Sequence, residues 1–315
     1  MSADSPAAIL SDKQLGDVLL LEPLSRLLAG RLGGSVAMYV NPAFEPMVTL
    51  MPHAHAVNQT RQNKHAELWT ANWSSRAVLR SLVVRARKKH LFISQPGKLR
   101  WWYRLIFQQI VEVHTPGEYW SHYFWRAAGG EREHFSPPCL KQPPDDWRHP
   151  GLPTGPYVVL NPTAAWASKF WQPNAWAKVI EALSKMGVRH WVMTGGPTQV
   201  ERAHCAEIAA QLGPDMVDIS GRTSMRQYLH TLSRARMVLC VDGSASHLAQ
   251  AWDVPTVTLF GHVFPLRWHW PAPRHHAVSA FDCTERRPPS TADVPPDRFI
   301  QASADLIASL PGLLD

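Results

Sequence analysis

One stretch in the second half of the chain, CVDGSASHLAQAWDVPTVTLFG, joins a buried-type strand to a helix through residues that could do chemistry. Those residues are Asp242, Gly243, Ser244, Ala245 and His247. Asp and Ser commonly begin helices and Gly permits a tight turn, which is a purely structural explanation. Alternatively, small residues let an anionic ligand approach the free N–H groups of a helix N-terminus. The stretch alone leaves both explanations open.

The elements around this stretch predict a parallel sheet. From position 155 onward, short apolar strands alternate with helical patterns of about 10–15 residues, which indicates successive βαβ units. The carboxyl ends of parallel strands share one edge of the sheet, and ligands bind there. Four loops rich in small or polar residues therefore fall along one edge: NPTAAWASK, TGGPTQVE, SGRTS and VDGSASH. We expect a binding site at this edge.

The first half begins in the same way, with the strand AAIL, the loop KQLGD and a helix VLLLEPLSRLLAGR that Pro23 should kink. SVAMYV and AELWTA are further predicted strands, whereas SSRAVLRSLVVRARKK, WWYRLIFQQIVEV and GEYWSHYFWRAAGG are predicted helices. A proline-rich segment at 136–156 lacks periodicity and is predicted to be a linker. The sequence thus predicts an α/β protein of two Rossmann-like domains, 1–135 and 157–315, facing a crevice.

Positive charge is concentrated in the first half of the chain. The net charge is +7, and residues 1–150 hold 18 Lys and Arg against 12 Asp and Glu. Residues 61–104 hold eleven basic residues and a single acid, Glu67. A charge run is often only a solvated helix face, but this excess favours an anionic partner: nucleic acid, a phospholipid surface or a phosphorylated substrate.

Other features exclude several classes of protein. A composition of 45% hydrophobic and 18% charged residues is typical of a folded globular chain. We expect a cytoplasmic protein because no apolar stretch is long enough to cross a bilayer and the first residues lack a signal-peptide pattern. The four cysteines form no CxxC motif, and the sixteen histidines show no metal-ligand spacing. We therefore expect neither disulfides nor a metal requirement.

The order of motifs along the chain resembles glycosyltransferase family 9, the ADP-heptose:lipopolysaccharide heptosyltransferases. The resemblance is carried by LGDVLLLEPL near the start and by NPTAAWASKFWQPNAW, TGGPTQVE, GRTS, VDGSASHLAQAWDVPTVTLFG, PLRWHWP and PPDRFIQASADLIASL later. It implies a GT-B fold and an inverting transferase that moves heptose from ADP-heptose to an inner-core sugar of lipopolysaccharide. It also implies that Asp17, in the Gly-Asp loop, is the base that deprotonates the acceptor hydroxyl; read without the resemblance, Asp17 would be a helix N-cap.

The resemblance assigns the donor site to the second half. It implies that Lys169 binds phosphate, Glu201 binds the ribose, and Thr223 lies in a loop that closes over adenine. VDGSASH would then supply N–H groups from Gly243, Ser244 and Ala245 to the phosphates, Asp242 for the sugar hydroxyls, and His247 for phosphate or the turn. The sequence departs from the family where Gly243 and Ser244 are exchanged and where Ala164 and Ala165 replace hydroxyl residues.

The acceptor side is expected to use Gly16 and the basic residues Arg61, Lys64, Arg76 and Arg80 on an anionic glycolipid, with peripheral contact to the inner membrane. Arg76 and Arg80 are four residues apart and so share a helix face. Two other hypotheses stay open. One is a GT-B transferase with another donor, such as ADP-mannose, or a protein or glycan acceptor. The other is a nucleic-acid-binding protein using 61–104, although no helix-turn-helix, zinc or RNP signature accompanies it.

Overall fold

The computed structural model describes residues 5–58, 64–72, 74–93, 96–112, 117–212 and 216–314. The chain divides into two compact units between Lys141 and Gln142, inside the segment predicted to be a linker. Each unit contains one six-stranded sheet in which every neighbouring pair of strands is parallel. The domain limits 1–135, 136–156 and 157–315 remain predictions.

The N-terminal unit has its strands in the order β3-β2-β1-β4-β5-β6. In chain order its elements are β1 Ala7–Leu10, α1 Leu15–Leu19, α2 Glu22–Leu32, β2 Val36–Tyr39, α3 Glu45–Leu50, β3 Ala54–Ala56, β4 Lys64–Thr70, α4 Ser75–Val83, β5 Arg85–Ile93, β6 Gln109–Glu112 and α5 Trp120–Ala127. The core of the sheet is formed by apolar residues of β1, β2 and β4 that water does not reach.

The C-terminal unit has its strands in the order β12-β11-β10-β7-β8-β9. Its elements are β7 Val158–Asn161, α6 Pro173–Lys185, β8 Trp191–Met193, α7 Gln199–Ala209, β9 Met216–Asp218, α8 Met225–Ser233, β10 Met237–Val241, α9 Ser244–Ala251, β11 Thr256–Phe260, α10 Pro265–Trp268, β12 His275–Ser279 and α11 Pro296–Ser309. Helices α6, α7 and α11 pack together, as do α8 and α9. Three buried rings, Trp171, Trp176 and Phe299, contact one another in the core between α6 and α11.

The two sheets have the same topology, and each has a point at which the strand order reverses. In the N-terminal unit that point lies between β1 and β4, where Leu10 pairs with Thr70. In the C-terminal unit it lies between β7 and β10, where Asn161 pairs with Cys240. Loops leaving neighbouring strands in opposite directions open a crevice at such a point, and ligands of open α/β sheets bind there.

The predicted elements of the C-terminal unit are confirmed, whereas four predictions for the N-terminal unit are wrong. The predicted loop KQLGD is helical from Leu15, where α1 begins. The single kinked helix is two helices, because Pro23 stands in the first turn of α2, where its missing N–H breaks no helical bond. The basic segment is helical only as far as Val83, and RARKK begins strand β5, which pairs with β4. WWYRLIFQQIVEV is a short 3₁₀ helix, Trp101–Leu105, followed by strand β6.

The proline-rich segment is anchored on both sides of the division between the units. In the N-terminal unit, the backbone N–H of Cys139 donates to the buried carboxylate of Glu22, 3.2 Å away. In the C-terminal unit, Arg234 donates to Asp145 at 2.7 Å. Burial raises the pKa of Glu22 to about 7, against the smaller opposing effects of Arg26 and Cys139.

The described parts of the chain contain no helix long and apolar enough to cross a membrane.

Candidate active site

The reversal point of the C-terminal sheet brings Lys169 and Asp242 together. Lys169 ends a 3₁₀ turn in the loop after β7, and Asp242 directly follows β10. The Lys169 Nζ lies 2.5 Å from the Asp242 Oδ2, and the two side chains are 21% and 4% exposed. The pair therefore places one partly accessible cation over a buried carboxylate, in agreement with the sequence-based expectation that the two loops share an edge.

The N-terminus of α9 lies directly beside this pair. Its N-cap is Gly243, and no side chain caps the helix. The first N–H groups of a helix have no acceptor within it, and together with the helix dipole they attract anions. Gly243 has a φ of 179°, an extended conformation open to any residue, but a Cβ there would lie 3.3 Å from the Ala164 Cβ. Close packing, and not an unusual backbone angle, is what favours glycine at this position.

His247 lies in the first turns of α9 and is buried. Burial lowers the pKa of His247 to about 4; Lys169 and His269 act in the same direction, and Asp242 opposes them. The imidazole is therefore neutral at neutral pH. Its Nδ1 is buried and has no hydrogen-bond partner among the described residues. A buried polar atom without a partner is uncommon, and this one stands at the helix end that would receive an anion.

A polar network that the sequence did not predict braces the loops around the pair. The Asn161 Oδ1 accepts hydrogen bonds from the Thr194 hydroxyl at 3.0 Å and from the Tyr228 hydroxyl at 3.1 Å. The Asn161 amide donates to the Thr163 carbonyl oxygen at 2.8 Å. One residue thus links the loops after β7 and β8 to helix α8. The signal in the sequence was a polar side chain at the end of each apolar strand.

Glu201, the predicted ribose ligand, is in the first turn of α7, is nearly buried and accepts hydrogen bonds from three residues. One carboxylate oxygen accepts from the Gly196 N–H at 3.1 Å and from the Thr163 hydroxyl at 3.3 Å. The other accepts from the hydroxyl of Thr198, the N-cap of α7, at 2.6 Å. A Cβ at Gly196 would come within 2.2 Å of the carboxylate, so only glycine fits there. These contacts give Glu201 a structural role whether or not it binds a ligand.

Thr223 is half-buried in the loop between β9 and α8, just before the N-cap Ser224. Because β9 is two strands away from β7, Thr223 lies further along the carboxyl edge than the pair at the reversal point. The structure therefore groups Lys169 and Asp242 with Gly243, Ser244, Ala245 and His247, and places Glu201 and Thr223 along the adjoining edge.

In the N-terminal unit, Asp17 follows the carboxyl end of β1. It is the third residue of α1 and half-buried, and Gly16 beside it is buried. The N-cap of α1 is Gln14, so Asp17 is not the cap residue that the structural explanation required. A carboxylate is a side chain that can take a proton from a hydroxyl group as a general base.

The predicted acceptor residues fall in different places. Arg80 forms an ion pair with Asp12, in the loop between β1 and α1, so its charge is already matched. Arg76 is exposed in the first turn of α4. Lys64 begins β4, at the opposite end of that strand from α4. Arg61 lies outside the described residues.

Comparison with known proteins assigns the family. The model of glycosyltransferase family 9 (heptosyltransferase) matches residues 132–290, half of the chain. The chain belongs to glycosyltransferase family 9. This agrees with the resemblance seen in the sequence, and it makes the chain a glycosyltransferase of the heptosyltransferase family.

Curated relatives match over shorter spans. Lipopolysaccharide heptosyltransferase 3 of Escherichia coli is 29% identical over 140 residues, which cover 41% of this chain and 41% of that protein. Lipopolysaccharide heptosyltransferase 1 of Pseudomonas aeruginosa is 32% identical over 113 residues, or 36% of this chain and 31% of the relative. The chain thus matches less than half the length of either relative.

Solved structures match over nearly the whole chain. A family 9 glycosyltransferase from Veillonella parvula superposes with a TM-score of 0.82 at 13% identity, covering 98% of this chain and 99% of the other. The E. coli ADP-heptose lipopolysaccharide heptosyltransferase II gives 0.81 at 15% identity, covering 97% and 99%. At these identities the likeness concerns the fold, which is GT-B as predicted.

An iron-containing protein is among the structural neighbours. The E. coli heptosyltransferase TibC, described as iron-containing, gives a TM-score of 0.62 at 14% identity, covering 97% of this chain and 77% of that one. Within the ranges that the structure describes, no three His, Cys, Asp or Glu side chains are grouped so as to hold a metal ion.

Proposed function

We propose that this family 9 protein transfers heptose from ADP-heptose to an inner-core sugar of lipopolysaccharide, with inversion at the anomeric carbon. The observation that supports it best is the Lys169–Asp242 pair beside the uncapped N-terminus of α9, at the reversal point of the sheet. Positive charge and free N–H groups at one point are what a diphosphate requires.

The donor occupies the C-terminal unit in this proposal. Its diphosphate accepts hydrogen bonds from the first N–H groups of α9, at Ser244 and Ala245, and the Lys169 ammonium exchanges part of its contact with Asp242 for phosphate oxygens. Asp242, released in part from Lys169, then accepts hydrogen bonds from sugar hydroxyls. Neutral His247 supplies a further donor or acceptor through its unpaired nitrogen. Glu201 and Thr223 would contact the nucleoside.

The reaction requires one proton transfer and one displacement. The acceptor hydroxyl oxygen attacks the anomeric carbon of the heptose while the bond from that carbon to the ADP oxygen breaks. The Asp17 carboxylate takes the hydroxyl proton, and the electron pair of the broken bond stays on ADP. Lys169 and the α9 N–H groups stabilise the charge that grows on the leaving phosphate. No divalent cation is needed in this proposal because Lys169 and the helix end supply the positive potential.

The acceptor side takes an anionic glycolipid, with Gly16 near the base and exposed Arg76 as a ligand for phosphate or carboxylate. Arg61 and Lys64 remain candidates from the sequence. Arg80 would act indirectly, by holding Asp12 and with it the loop that leads to Asp17.

The test is an assay of ADP release with ADP-heptose and a panel of core-truncated lipopolysaccharides, run in EDTA. We expect turnover with one truncation length and none without an acceptor. Faster turnover with ADP-mannose would assign another donor, and turnover with UDP-sugars alone or only after metal addition would contradict the donor site as described.

A further inference from the structure

One region of the N-terminal unit combines exposed apolar side chains with exposed positive charge. Trp101 and Leu105, in the 3₁₀ helix Trp101–Leu105, are 78% and 77% exposed. Leu79, Leu82 and Val83 on α4 are exposed as well. Scattered single apolar residues are normal on a protein surface, whereas a group of large exposed apolar side chains indicates an interaction surface.

These two elements are neighbours because they pack on the same core. Val78 of α4 lies in a buried cluster with Tyr103 and Phe107, and Leu99, Trp102 and Ile106 pack against it. The Lys89 Nζ also donates to the Ser81 carbonyl oxygen of α4 at 2.6 Å, while the Lys89 and Gln108 backbones bond to each other at 2.9 Å. We call the exposed side of α4 and of residues 97–105 the apolar-basic surface.

The charge of this surface has one sign. Residues 68–111 contain nine Lys and Arg and no Asp or Glu. Lys98, Arg100 and Arg104 are exposed immediately around Trp101 and Leu105. The two parts belong to successive crossovers of the same sheet, α4 between β4 and β5 and residues 97–105 between β5 and β6, so the surface lies on the crossover segments of the sheet whose strand β1 precedes Asp17.

From this arrangement we infer that the apolar-basic surface docks on an anionic phospholipid bilayer. Trp and Leu side chains enter the headgroup and acyl boundary, and the surrounding Lys and Arg side chains bind phosphates. Nucleic acid is the other polyanion that such charge attracts, and Trp101 is able to stack on a base. The other four exposed apolar side chains, Leu79, Leu82, Val83 and Leu105, are aliphatic and offer no stacking surface, so the composition favours a bilayer. Docking would hold the N-terminal unit at the membrane, where a glycolipid presents its sugars.

The inference concerns binding alone and needs no transfer activity, so its test is separate from that of the proposed function. The full chain is sedimented with phosphatidylcholine vesicles, with and without phosphatidylglycerol, without substrates. We expect binding to the anionic vesicles, weakening as salt is raised. Trp101→Ser/Leu105→Ser should weaken binding by about tenfold or more, and Lys98→Gln/Arg100→Gln/Arg104→Gln by a similar factor.

The matched control is Met186→Ser/Arg189→Gln, the same kinds of change at exposed positions of the C-terminal unit, which should bind vesicles like the parent. All changed side chains are exposed, and thermal unfolding verifies that each variant folds. If Trp101→Ser/Leu105→Ser does not fold, the vesicle binding of Lys98→Gln/Arg100→Gln/Arg104→Gln decides the test. Absence of binding to anionic vesicles, or equal binding by parent and variants, would overturn the inference. So would tight binding of an RNA or DNA oligonucleotide that the charge variant abolishes while vesicle binding is unchanged.

Discussion

The two units carry ion pairs at the same topological point with the charges exchanged. In the C-terminal unit the cation, Lys169, follows β7, the first strand of the unit in chain order. The carboxylate, Asp242, follows β10, the fourth strand. In the N-terminal unit the carboxylate, Asp12, follows the first strand, and the cation, Arg80, lies on the helix after the fourth. One topology therefore presents opposite charge arrangements to whatever binds at its reversal point.

The helices that follow the fourth strand of each unit also differ in how their N-termini are capped. Helix α4 is capped by Ser74, whose hydroxyl accepts from the Ala77 N–H at 3.1 Å, so part of its anion-binding capacity is already used. Helix α9 begins at Gly243 and has no cap side chain. This difference supports the proposal that the diphosphate of the donor binds at the reversal point of the C-terminal unit, whereas the N-terminal unit supplies the carboxylate for proton transfer.

The largest effect should come from removing the base. Asp17→Asn keeps the size of the side chain and its place in the first turn of α1 but removes its basicity. We expect kcat to fall by about 10²–10⁴-fold, measured by ADP release with ADP-heptose and acceptor. Asp12→Asn is the control carboxylate in the same loop. A larger loss of kcat for Asp12→Asn than for Asp17→Asn would contradict the assignment of Asp17 as the base and would assign that role to Asp12.

Removing the cation should have the next largest effect. Lys169→Ala deletes a charge-assisted contact to phosphate worth about 1.5–3 kcal/mol, so kcat/KM for the ADP-sugar should fall by about 10–100-fold. Lys178→Ala, at an exposed position of α6, should leave kcat/KM unchanged. If the two variants behave alike, Lys169 is only a solvated surface lysine paired with Asp242.

Buried groups that differ between the units should respond oppositely to pH. The pKa of Glu22 is raised in the folded N-terminal unit to about 7, so its contribution to stability is lost as pH rises from about 4.5 through 7. The pKa values of His247 and His269 are lowered to about 4 by burial, so their contribution is lost as pH falls from about 6.5 to 4. Glu22→Gln should therefore stabilise the protein by about 2–3 kcal/mol at pH 8 and much less at pH 5, in urea unfolding. An equal gain at both pH values would show that packing, and not charge, governs Glu22.

The smallest effect tests the open helix end. Gly243→Ser supplies α9 with a cap that competes with phosphate for the same N–H groups, and its Cβ meets Ala164 closely. We expect ADP affinity to fall several-fold, by about 1 kcal/mol, with little change in the thermal midpoint. Ser74→Gly, which opens α4 in the other unit, should not change ADP affinity. Tighter ADP binding by the serine variant would contradict an anion site at this helix.

The fold was predictable where local signals agreed and not where distant pairing decided. In the C-terminal unit, strands and helices alternate with glycines at the helix ends, and every predicted element is present. The segment RARKK was predicted to be helical because Arg and Lys favour helices, but its pairing with β4 makes it part of a strand. WWYRLIFQQIVEV is an apolar run whose periodicity does not separate helix from strand. Strand β12, five residues at the sheet edge, was not predicted at all.

The candidate site was predictable in its loops but not in its contacts. Parallel topology alone places the loops of Lys169 and Asp242 on one edge. Their ion pair, the bracing by Asn161 and the bonding of Glu201 to Thr163 join residues 33 to 73 positions apart, and no spacing rule reaches that far. The unpaired nitrogen of His247 depends on burial, which only the folded chain defines.

The central claim is that ADP binds the C-terminal unit through Lys169, whereas Asp17 of the N-terminal unit acts only in proton transfer. Its most direct test is a calorimetric titration of ADP, in EDTA, into the parent protein, Asp17→Asn and Lys169→Ala side by side. We predict that the parent and Asp17→Asn bind ADP with the same Kd, and that Lys169→Ala binds about 10–100-fold more weakly. Equal binding by Lys169→Ala and the parent, or an equal loss in Asp17→Asn, would contradict it.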